Sequence, residues 1–386
     1  IWALIRAVWC NSSDVSMPSR RRPSSPHPRG APLPQEDLET SVSHAAEVIS
    51  NADALLIFTG AGMGVDSGFG TFRGTNAGVW NPLRALGMDY QQICDPDWFE
   101  SDPRLAWAFW QSCWHTYSSA VPHVGYEVLA KWSKAARLGF FSVTTNVDGH
   151  WERIVGADRV YEVHGSVTHV QRIEDPSSHG PVWRVHDAEL QSLKVPTWDL
   201  VPGETIQKRL AEGTDWGPWT TASVADDGFT IVDEAGEQLI AHGVRRENGP
   251  DLLRVDSACI LPCCHTTGIL ARPNVLMFGD PNLNYSRIQR QEASFKAWKE
   301  TLPHDTRLAV IEIGAGRAIP TMRDMAEEEL SIFSEATLVR INLDDSEVGQ
   351  KFAGRAVSVA GLSALEALLR IDAALVSIAQ GRSSDS

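Results

Sequence analysis

Short apolar runs recur along the chain and stop abruptly in polar or glycine-rich clusters. Residues 54–58 run into Thr59-Gly60-Ala61-Gly62, and 140–144 into Thr145-Asn146-Val147-Asp148-Gly149. Residues 161–163 run into His164-Gly165-Ser166, and 274–277 into Phe278-Gly279-Asp280. Residues 308–313 run into Gly314-Ala315-Gly316, and 337–341 into Asn342-Leu343-Asp344. Helical spacing lies between several of them: Leu38, Val42, Ala45 and Ile49 before the first run, Val124, Val128 and Trp132 before the second, and a stretch after Pro320. A final helix over 363–379 carries Leu365, Leu368, Leu369, Ile371, Leu375 and Ile378, with Ser363 as its cap. Apolar strands alternating with helices predict an α/β fold, a parallel sheet with helices on both faces. Ligands of such sheets bind beyond the carboxyl ends of the strands, so the six clusters are expected to converge on one crevice.

Two stretches break the alternation. Residues 75–120 are rich in tryptophan (Trp80, Trp98, Trp107, Trp110, Trp114) and mostly helical in period, which predicts a helical flap over the site. Residues 167–268 form a long insertion whose middle, 216–247, alternates apolar and polar positions between Asp-Gly and Ala-Gly turn signals. The predicted organisation is therefore a parallel-sheet domain over 36–166 and 269–386, carrying the flap, with a small inserted lobe over 167–268. Residues 1–35 read as a disordered tail, being rich in Pro, Ser and Arg from Met17 onward. That composition also suits a transit peptide, but no amphipathic period supports one. Residue 1 is Ile rather than Met, which fits a fragment or a misassigned start.

Bulk composition narrows the function classes. The 386 residues are 43% hydrophobic and 22% charged, as in ordinary globular proteins. A net charge of −15 argues against a general nucleic-acid binder and leaves a basic peptide open as substrate. Six cysteines in this length make no disulfide framework and point to a reducing, intracellular setting, the cytoplasm by default. No apolar run approaches the roughly 20 residues that a membrane span needs. Neither nucleic acid nor membrane is expected as a partner.

Candidate chemistry concentrates at the strand-end clusters. Glycines at 60, 62, 64, 68, 70 and 74 leave backbone N–H groups uncovered and permit positive φ, so the loop can fold tightly around a phosphate. The loop then delivers Phe72 and Arg73, a flat hydrophobe and a permanent cation that suit the rest of a nucleotide. Gly60-Ala61-Gly62 is not the G-x-G-x-x-G dinucleotide fingerprint, and alone it reads equally as a strand-to-helix turn. Asn146 and Asp148 alternate at a strand end and should point the same way. They read as an Asx turn or, beside a nucleotide loop, as an amide and a carboxylate that hold a polar leaving group. His164 stands at a strand tip with small neighbours, where a ligand hydroxyl can approach an imidazole suited to proton transfer near neutral pH. A lone histidine is more often structural.

These clusters, taken in order, resemble the sirtuin family of NAD-dependent protein deacylases. The match lies in Gly60-Ala61-Gly62 with Ser67-Gly68 and Phe72-Arg73-Gly74, in Thr144-x-Asn146-x-Asp148, and in His164-Gly165-Ser166. It continues in the run from Arg272 to Asp280, in Gly314-x-Gly316 and in Ile341-Asn342, covering residue 36 to the C-terminus apart from the insertion. Each motif is modest alone; the ordered set is specific. The resemblance implies a Rossmann-like NAD-binding domain. Gly60, Ala61 and Gly62 would cradle the pyrophosphate, Arg73 would add charge, and Phe72 would shield the reactive ribose carbon. Asp148 would hold the nicotinamide carboxamide, Asn146 would order the ribose side and act in catalysis, and Gly314, Ala315 and Asn342 would contact the adenosine half. His164 would be the general base, and Val275, Phe278 and Gly279 would line the path of an acyl-lysine from a protein or peptide substrate. Loss of nicotinamide leaves an electrophilic ribose carbon, which the acyl oxygen captures. His164 would then deprotonate a ribose hydroxyl that attacks the adduct, and the acyl group would end on ADP-ribose.

The chain departs from the family pattern in three places. Gly68-Phe69-Gly70-Thr71 replaces Gly-Ile-Pro-Asp, removing a stiff Pro and an acid, and Thr145 replaces a Gln. The family's two Cys-x-x-Cys pairs, which bind a structural zinc, are also missing. Gln171, Arg172 and Asp175 follow the His-Gly-Ser motif, and then only Cys259, Cys263 and Cys264 appear, with His265 beside them. Adjacent Cys263 and Cys264 do not mimic a zinc knuckle, and Thr267 stands where a partner is expected. Ligand count favours loss of zinc over a non-standard site from Cys259, Cys263 or Cys264, His265 and a distant His. The tryptophan-bearing stretch 197–256 is then expected to hold the lobe by its own core. The leading reading is an NAD-dependent protein-lysine deacylase. The alternatives are an NAD hydrolase or ADP-ribosyltransferase on the same scaffold, and a nucleotide-binding module without turnover.

Overall fold

The computed structural model describes residues 37–70, 80–173, 180–212 and 215–384, and they form two compact units. One comprises 37–70, 120–166 and 287–384; the other comprises 80–119 and 167–286. The tail expected over 1–35 lies outside the described residues.

The first unit is built on a six-stranded sheet. Its strands are β1 (Ala54–Thr59), β2 (Phe140–Thr144), β3 (Val160–Glu162), β4 (Leu308–Ile313), β5 (Thr337–Asn342) and β6 (Ala356–Ala360). Their order is β6-β5-β4-β1-β2-β3 and every pairing is parallel. β1 and β4 are buried at every position, as continuous apolar runs in a covered parallel sheet should be. The period of two sends Leu55, Ile57, Ile311, Ile313, Val339, Ile341, Val357 and Val359 into one core. Helices α1 (Leu38–Asn51), α2 (Val124–Ala135) and α6 (Ala364–Ser384) supply Val42, Leu129, Trp132 and Leu368 to that core. Between them in sequence lie α3 (His150–Val155), α4 (Ser286–Glu300) and α5 (Thr321–Ile332). Phe141 meets Phe295 and Trp298 of α4 at ring distances of 5.3 and 5.8 Å. Asp37 caps α1, its Oδ1 accepting the Thr40 N–H at 3.1 Å, and Ser363 Oγ caps α6 by accepting the Glu366 N–H at 3.3 Å.

Five of the six predicted strands lie in this sheet. The sixth, expected over 274–277, does not: residues Ala271–Val275 belong to a separate three-stranded sheet with Gly165–Arg172 and Trp183–Arg184. Its alternate residues Arg272 and Asn274 are buried polar groups with partners of their own, which an apolar-run reading overlooks. The place is taken by β6, whose half-buried alternation marks an edge strand rather than a central one.

Strand order places a topological switch beside β1. The chain moves from β1 to β2 and β3 on one side, then crosses to β4, β5 and β6 on the other. The loops after β1 and β4 both start at the carboxyl end of the sheet beside this switch, where ligands of such folds bind. Arg340 of β5 and Glu312 of β4 are direct register partners there, joined by two bonds of 2.8 and 2.7 Å with both side chains at most 1% exposed. Arg340 also donates to the Glu347 carbonyl at 2.8 Å, while Arg323 of α5 donates to the carbonyls of Asp345 and Glu347 at 2.5 and 3.0 Å. A buried charge set thus fixes the loop that leaves β5.

The second unit contains the helices Pro82–Leu86, Tyr90–Ile93, Trp98–Ser101 and Pro103–Ser119, the three-stranded sheet, and a five-stranded antiparallel sheet. The latter runs in the order 238–239, 231–232, 220–224, 205–209, 243–245 and buries Ile206, Ala222, Val224, Ile231 and Val244. Residues 80–119 and 269–286 group with the insertion, whereas the sequence boundaries attach them to the parallel sheet. The cause is specific bonding. Trp107 Nε1 donates to the Ala271 carbonyl at 3.0 Å, Arg104 donates to the Asp256 carbonyl at 2.6 Å, and Asp102 pairs with Arg254 at 2.6 Å. Among the described residues no helix is long and apolar enough to cross a membrane.

Removing one partner of a buried ion pair strands the other. Glu312→Gln is therefore expected to destabilise the protein by about 3–5 kcal/mol in urea unfolding. The paired change of Glu312→Leu with Arg340→Met should be far milder. Equal losses for the two would contradict this account of the pair.

Candidate functional site

At the switch point, backbone packs directly on backbone. Gly60 N–H donates to the Ile313 carbonyl, Gly62 N–H to the Gly314 carbonyl, and Gly314 N–H to the Ile341 carbonyl, each at 3.0 Å. A Cβ on Gly60 would stand 2.7 Å from the Gly314 oxygen, and one on Gly62 2.6 Å from the Gly314 Cα. Gly314 itself has φ +63°, and its Cβ would meet Gly62 at 2.5 Å. Glycine is required at all three positions by this approach. The N–H groups of Gly60 and Gly62 are taken up by carbonyls at the end of β4 and just after it, so the two residues shape the loop rather than donate to a ligand. Residues Ala61–Ser67 then form a 3-10 turn that ends at Gly68 in the left-handed region, φ +92°. His123 anchors this turn: its Nε2 lies 2.9 Å from the Met63 carbonyl, and its N–H donates to Ser67 Oγ at 3.0 Å.

Threonines at the ends of β1 and β2 connect the neighbouring clusters. Trp151 Nε1 donates to Thr59 Oγ1 at 2.9 Å, and Thr59 Oγ1 donates to Thr144 Oγ1 at 2.9 Å. Thr144 Oγ1 donates to the Thr59 carbonyl at 3.1 Å and accepts the Asn146 N–H at 3.0 Å. Asn146 Nδ2 reaches back to the Gly60 carbonyl at 3.0 Å. The amide predicted as a site residue thus ties the β2 loop to the glycine cradle. Asp148 is engaged differently. Its Oδ1 accepts the His150 N–H at 2.8 Å in an Asx turn that starts α3.

Burial sets the charge states of two site groups. It pushes the Asp148 carboxyl up from 3.8 to about 6, against the His150 hydrogen bond and the Arg153 charge. It pulls the His164 imidazole down from 6.5 to about 4, with a hydrogen bond to the Thr145 backbone acting the other way. His164 is therefore neutral at pH 7, the state a general base needs.

Asn342 braces the loops that follow β4 and β5. Its Nδ2 donates to the Ala315 carbonyl at 3.0 Å, and its Oδ1 accepts the N–H groups of Asp344 and Asp345 at 3.2 Å. The first unit thus brings Gly60, Ala61, Gly62, Asn146, Asp148, His164, Gly314, Ala315 and Asn342 to the carboxyl ends of its strands. Phe72 and Arg73 lie outside the described residues. Thr59 and Thr144 entered the sequence reading only as members of strand-end motifs, with no role of their own, and Trp151, His123 and Arg323 were not singled out. The available signal was a pair of threonines ending adjacent apolar runs.

Val275, Phe278 and Gly279 lie in the second unit. Arg272 pairs bidentately with Asp280 at 2.8 and 2.9 Å in full burial, closing the turn between them. Asn274 Nδ2 donates to Gln171 Oε1 at 2.9 Å and to the Asn284 carbonyl at 2.8 Å. Within this frame Val275 is buried, Phe278 is half-buried and Gly279 is exposed at φ +67°. The Phe278 N–H donates to the Cys94 carbonyl at 2.9 Å, and its ring meets Tyr90 edge-on at 6.3 Å.

The candidate zinc ligands do not assemble. Cys259 Sγ accepts the Lys194 N–H at 3.3 Å and donates to the Ser192 carbonyl at 3.6 Å. Cys264 Sγ lies 3.3 Å from Thr266 Oγ1, and His265 is exposed with Glu189 4.0 Å away. Among the described residues no group of three or more His, Cys, Asp or Glu side chains is placed to hold a metal. Among the described residues the donors around Cys259, Cys264 and His265 do not fit tetrahedral zinc.

Comparison with known proteins adds three findings. Residues 60–189 match the model of the Sir2 family. An NAD-dependent protein deacylase of Corynebacterium glutamicum is 31% identical over 136 residues, 35% of this chain and 50% of that protein. One of Thermococcus kodakarensis is 33% identical over 130 residues, 34% and 48% respectively. The chain spans about half the length of these curated relatives. Among solved structures, a Sir2 homologue in complex with NAD is similar at a TM-score of 0.50 and 16% identity, over 91% of this chain and 97% of that one. At that identity the likeness concerns the fold.

The raised Asp148 pKa carries a stability prediction. The folded state holds a proton that the unfolded state releases between about 3.8 and 6. The resulting stability is fully present below pH 3.8 and is lost as pH rises through about 6. Asp148→Asn, which can keep the Oδ1 acceptor, should therefore melt higher than the parent at pH 7.5 and level with it near pH 4. Thermal melts across that range test this, and a pH-independent difference would contradict it.

Proposed function

The chain belongs to the Sir2 family, and on that premise we propose that it is an NAD-dependent protein-lysine deacylase. The observation that carries the reading is the Gly60/Gly62–Gly314 contact, tied by Asn146 to the strand ends that bear Asp148 and the neutral His164. Such a side-chain-free cradle at a topological switch point suits the pyrophosphate of a dinucleotide. Gly60, Ala61, Gly62, Gly314 and Ala315 would hold NAD there, with Asn342 bracing the adenosine side; on the family resemblance Arg73 would add charge and Phe72 would shield the ribose carbon.

When bound, NAD supplies a cationic nicotinamide whose release makes a ribose carbon electrophilic. Asp148, a buried carboxyl within reach of either protonation state, would orient the carboxamide. Asn146 would fix the ribose side while holding the cradle to β2. His164 would accept the proton of a ribose hydroxyl on its unprotonated ring nitrogen, help worth on the order of 10²–10⁴ in rate. Val275, Phe278 and Gly279 would line the acyl-lysine path, with the Arg272–Asp280 pair keeping their turn in place. A basic, acylated peptide segment suits a chain of net charge −15.

His164→Ala, assayed for NAD-dependent deacetylation of an acetyl-lysine peptide, should lose at least about 10²-fold in rate. NAD affinity by calorimetry should be unchanged. Full activity in this variant would remove His164 from its role.

A further inference from the structure

We infer that the inserted lobe is held together by a stack of arginine and tryptophan side chains in place of a metal. The inference stands on the Sir2 membership and on the second unit alone, and is independent of the deacylase reading. The guanidinium of Arg209 lies 4.1 Å from the Trp216 ring centre and 4.6 Å from that of Trp219. Arg254 covers Trp216 at 4.4 Å, and Arg245 covers Trp219 at 4.1 Å. The order is therefore Arg245, Trp219, Arg209, Trp216, Arg254, each cation facing a ring.

Carboxylates and amides tie the stack to the backbone. Asp251 pairs with Arg209 at 3.1 Å and Arg254 at 3.0 Å, while its Oδ1 accepts the N–H groups of Val244 and Leu253 at 3.3 and 3.1 Å. Arg245 Nε donates to Gln207 Oε1 at 2.8 Å. Arg254 donates to the His242 carbonyl at 2.6 Å and pairs with Asp102 at the start of the helix Pro103–Ser119. Arg104 of that helix donates to the carbonyls of Asp256, Ser257 and Cys259 at 2.6, 3.0 and 3.2 Å, gripping the segment that leads to the cysteines. The stack joins the strands 205–209 and 243–245 to the residues 251–259 that follow. It thus performs the loop-closing task of a metal, cross-linking segments distant in sequence.

One glycine is shaped to it. A Cβ on Gly243 would stand 2.6 Å from Arg209 Nε and 3.1 Å from the Trp219 ring. Arginine suits this use because its guanidinium is planar, permanently charged and weakly hydrated, so it stacks and pairs at once.

The test uses the full chain purified without chelator. Metal content should be far below one equivalent, and a strong chelator should leave the melting temperature unshifted. Cys259→Ser with Cys264→Ser should shift it little. Trp219→Ala should lower it by several degrees and speed hydrogen exchange over 205–255, which reads this lobe even when the parallel sheet dominates the melt. Should Trp219→Ala fail to fold, Arg245→Lys keeps the charge, loses the planar stack and should give a smaller loss in the same segment. Stoichiometric zinc with unfolding on chelation would overturn the inference. So would unchanged exchange over 205–255 in the stack variants.

Discussion

Everything proposed for the nucleotide side depends on how closely two backbones approach where β1 and β4 end. Gly60 and Gly62 meet Gly314 at distances that exclude any side chain. A parallel sheet whose order reverses beside β1 brings the two loops together at its carboxyl end, and three glycines let them pack backbone on backbone. The N–H groups of Gly60 and Gly62 are engaged by the Ile313 and Gly314 carbonyls. The glycines therefore act through shape and rigidity, and donors to an anion must come from other positions.

Polar groups in this protein are concentrated where strands hand over to functional loops. Glu312 and Arg340 occupy buried register-partner positions beneath the loop after β5. Arg272 and Asp280 close the turn that carries Phe278. Each pair costs desolvation and adds little net stability as such, but it leaves the adjoining loop one geometry. Burial does similar work on charge, raising the Asp148 carboxyl and lowering the His164 imidazole. The two shifts oppose each other in their pH dependence. Between about pH 4 and 6 protonation of His164 favours the unfolded state, while protonation of Asp148 favours the folded one.

Much of this was legible in the residues. Periodicity located five of the parallel strands, four of the flanking helices (α1, α2, α5 and α6) and the cap at Ser363, because burial on both faces leaves uniform apolar runs. It misplaced the run near Asn274 because buried ion pairs and amides sit inside an otherwise apolar strand. It missed β6 because an edge strand of small residues carries a weak signal. Asn146 and Asp148 were expected to share a direction, but the strand ends at Thr144 and each then follows its own turn, Asn146 to Gly60 and Asp148 to α3. The partners in the Thr59–Thr144 link and the Arg–Trp stack could not be assigned from sequence, which showed only threonines at two strand ends and a tryptophan-bearing stretch over 197–256, since both depend on residues brought together from separate segments.

The central claim is that the cradle at the switch point serves acyl-lysine-dependent cleavage of NAD. Its most direct test is nicotinamide release from NAD by the purified protein, with and without an acetyl-lysine peptide. The account predicts release that requires the peptide and matches loss of its acetyl group one for one. Release at the same rate without peptide would assign the site to hydrolysis, and NAD binding with no release under either condition would contradict catalysis altogether.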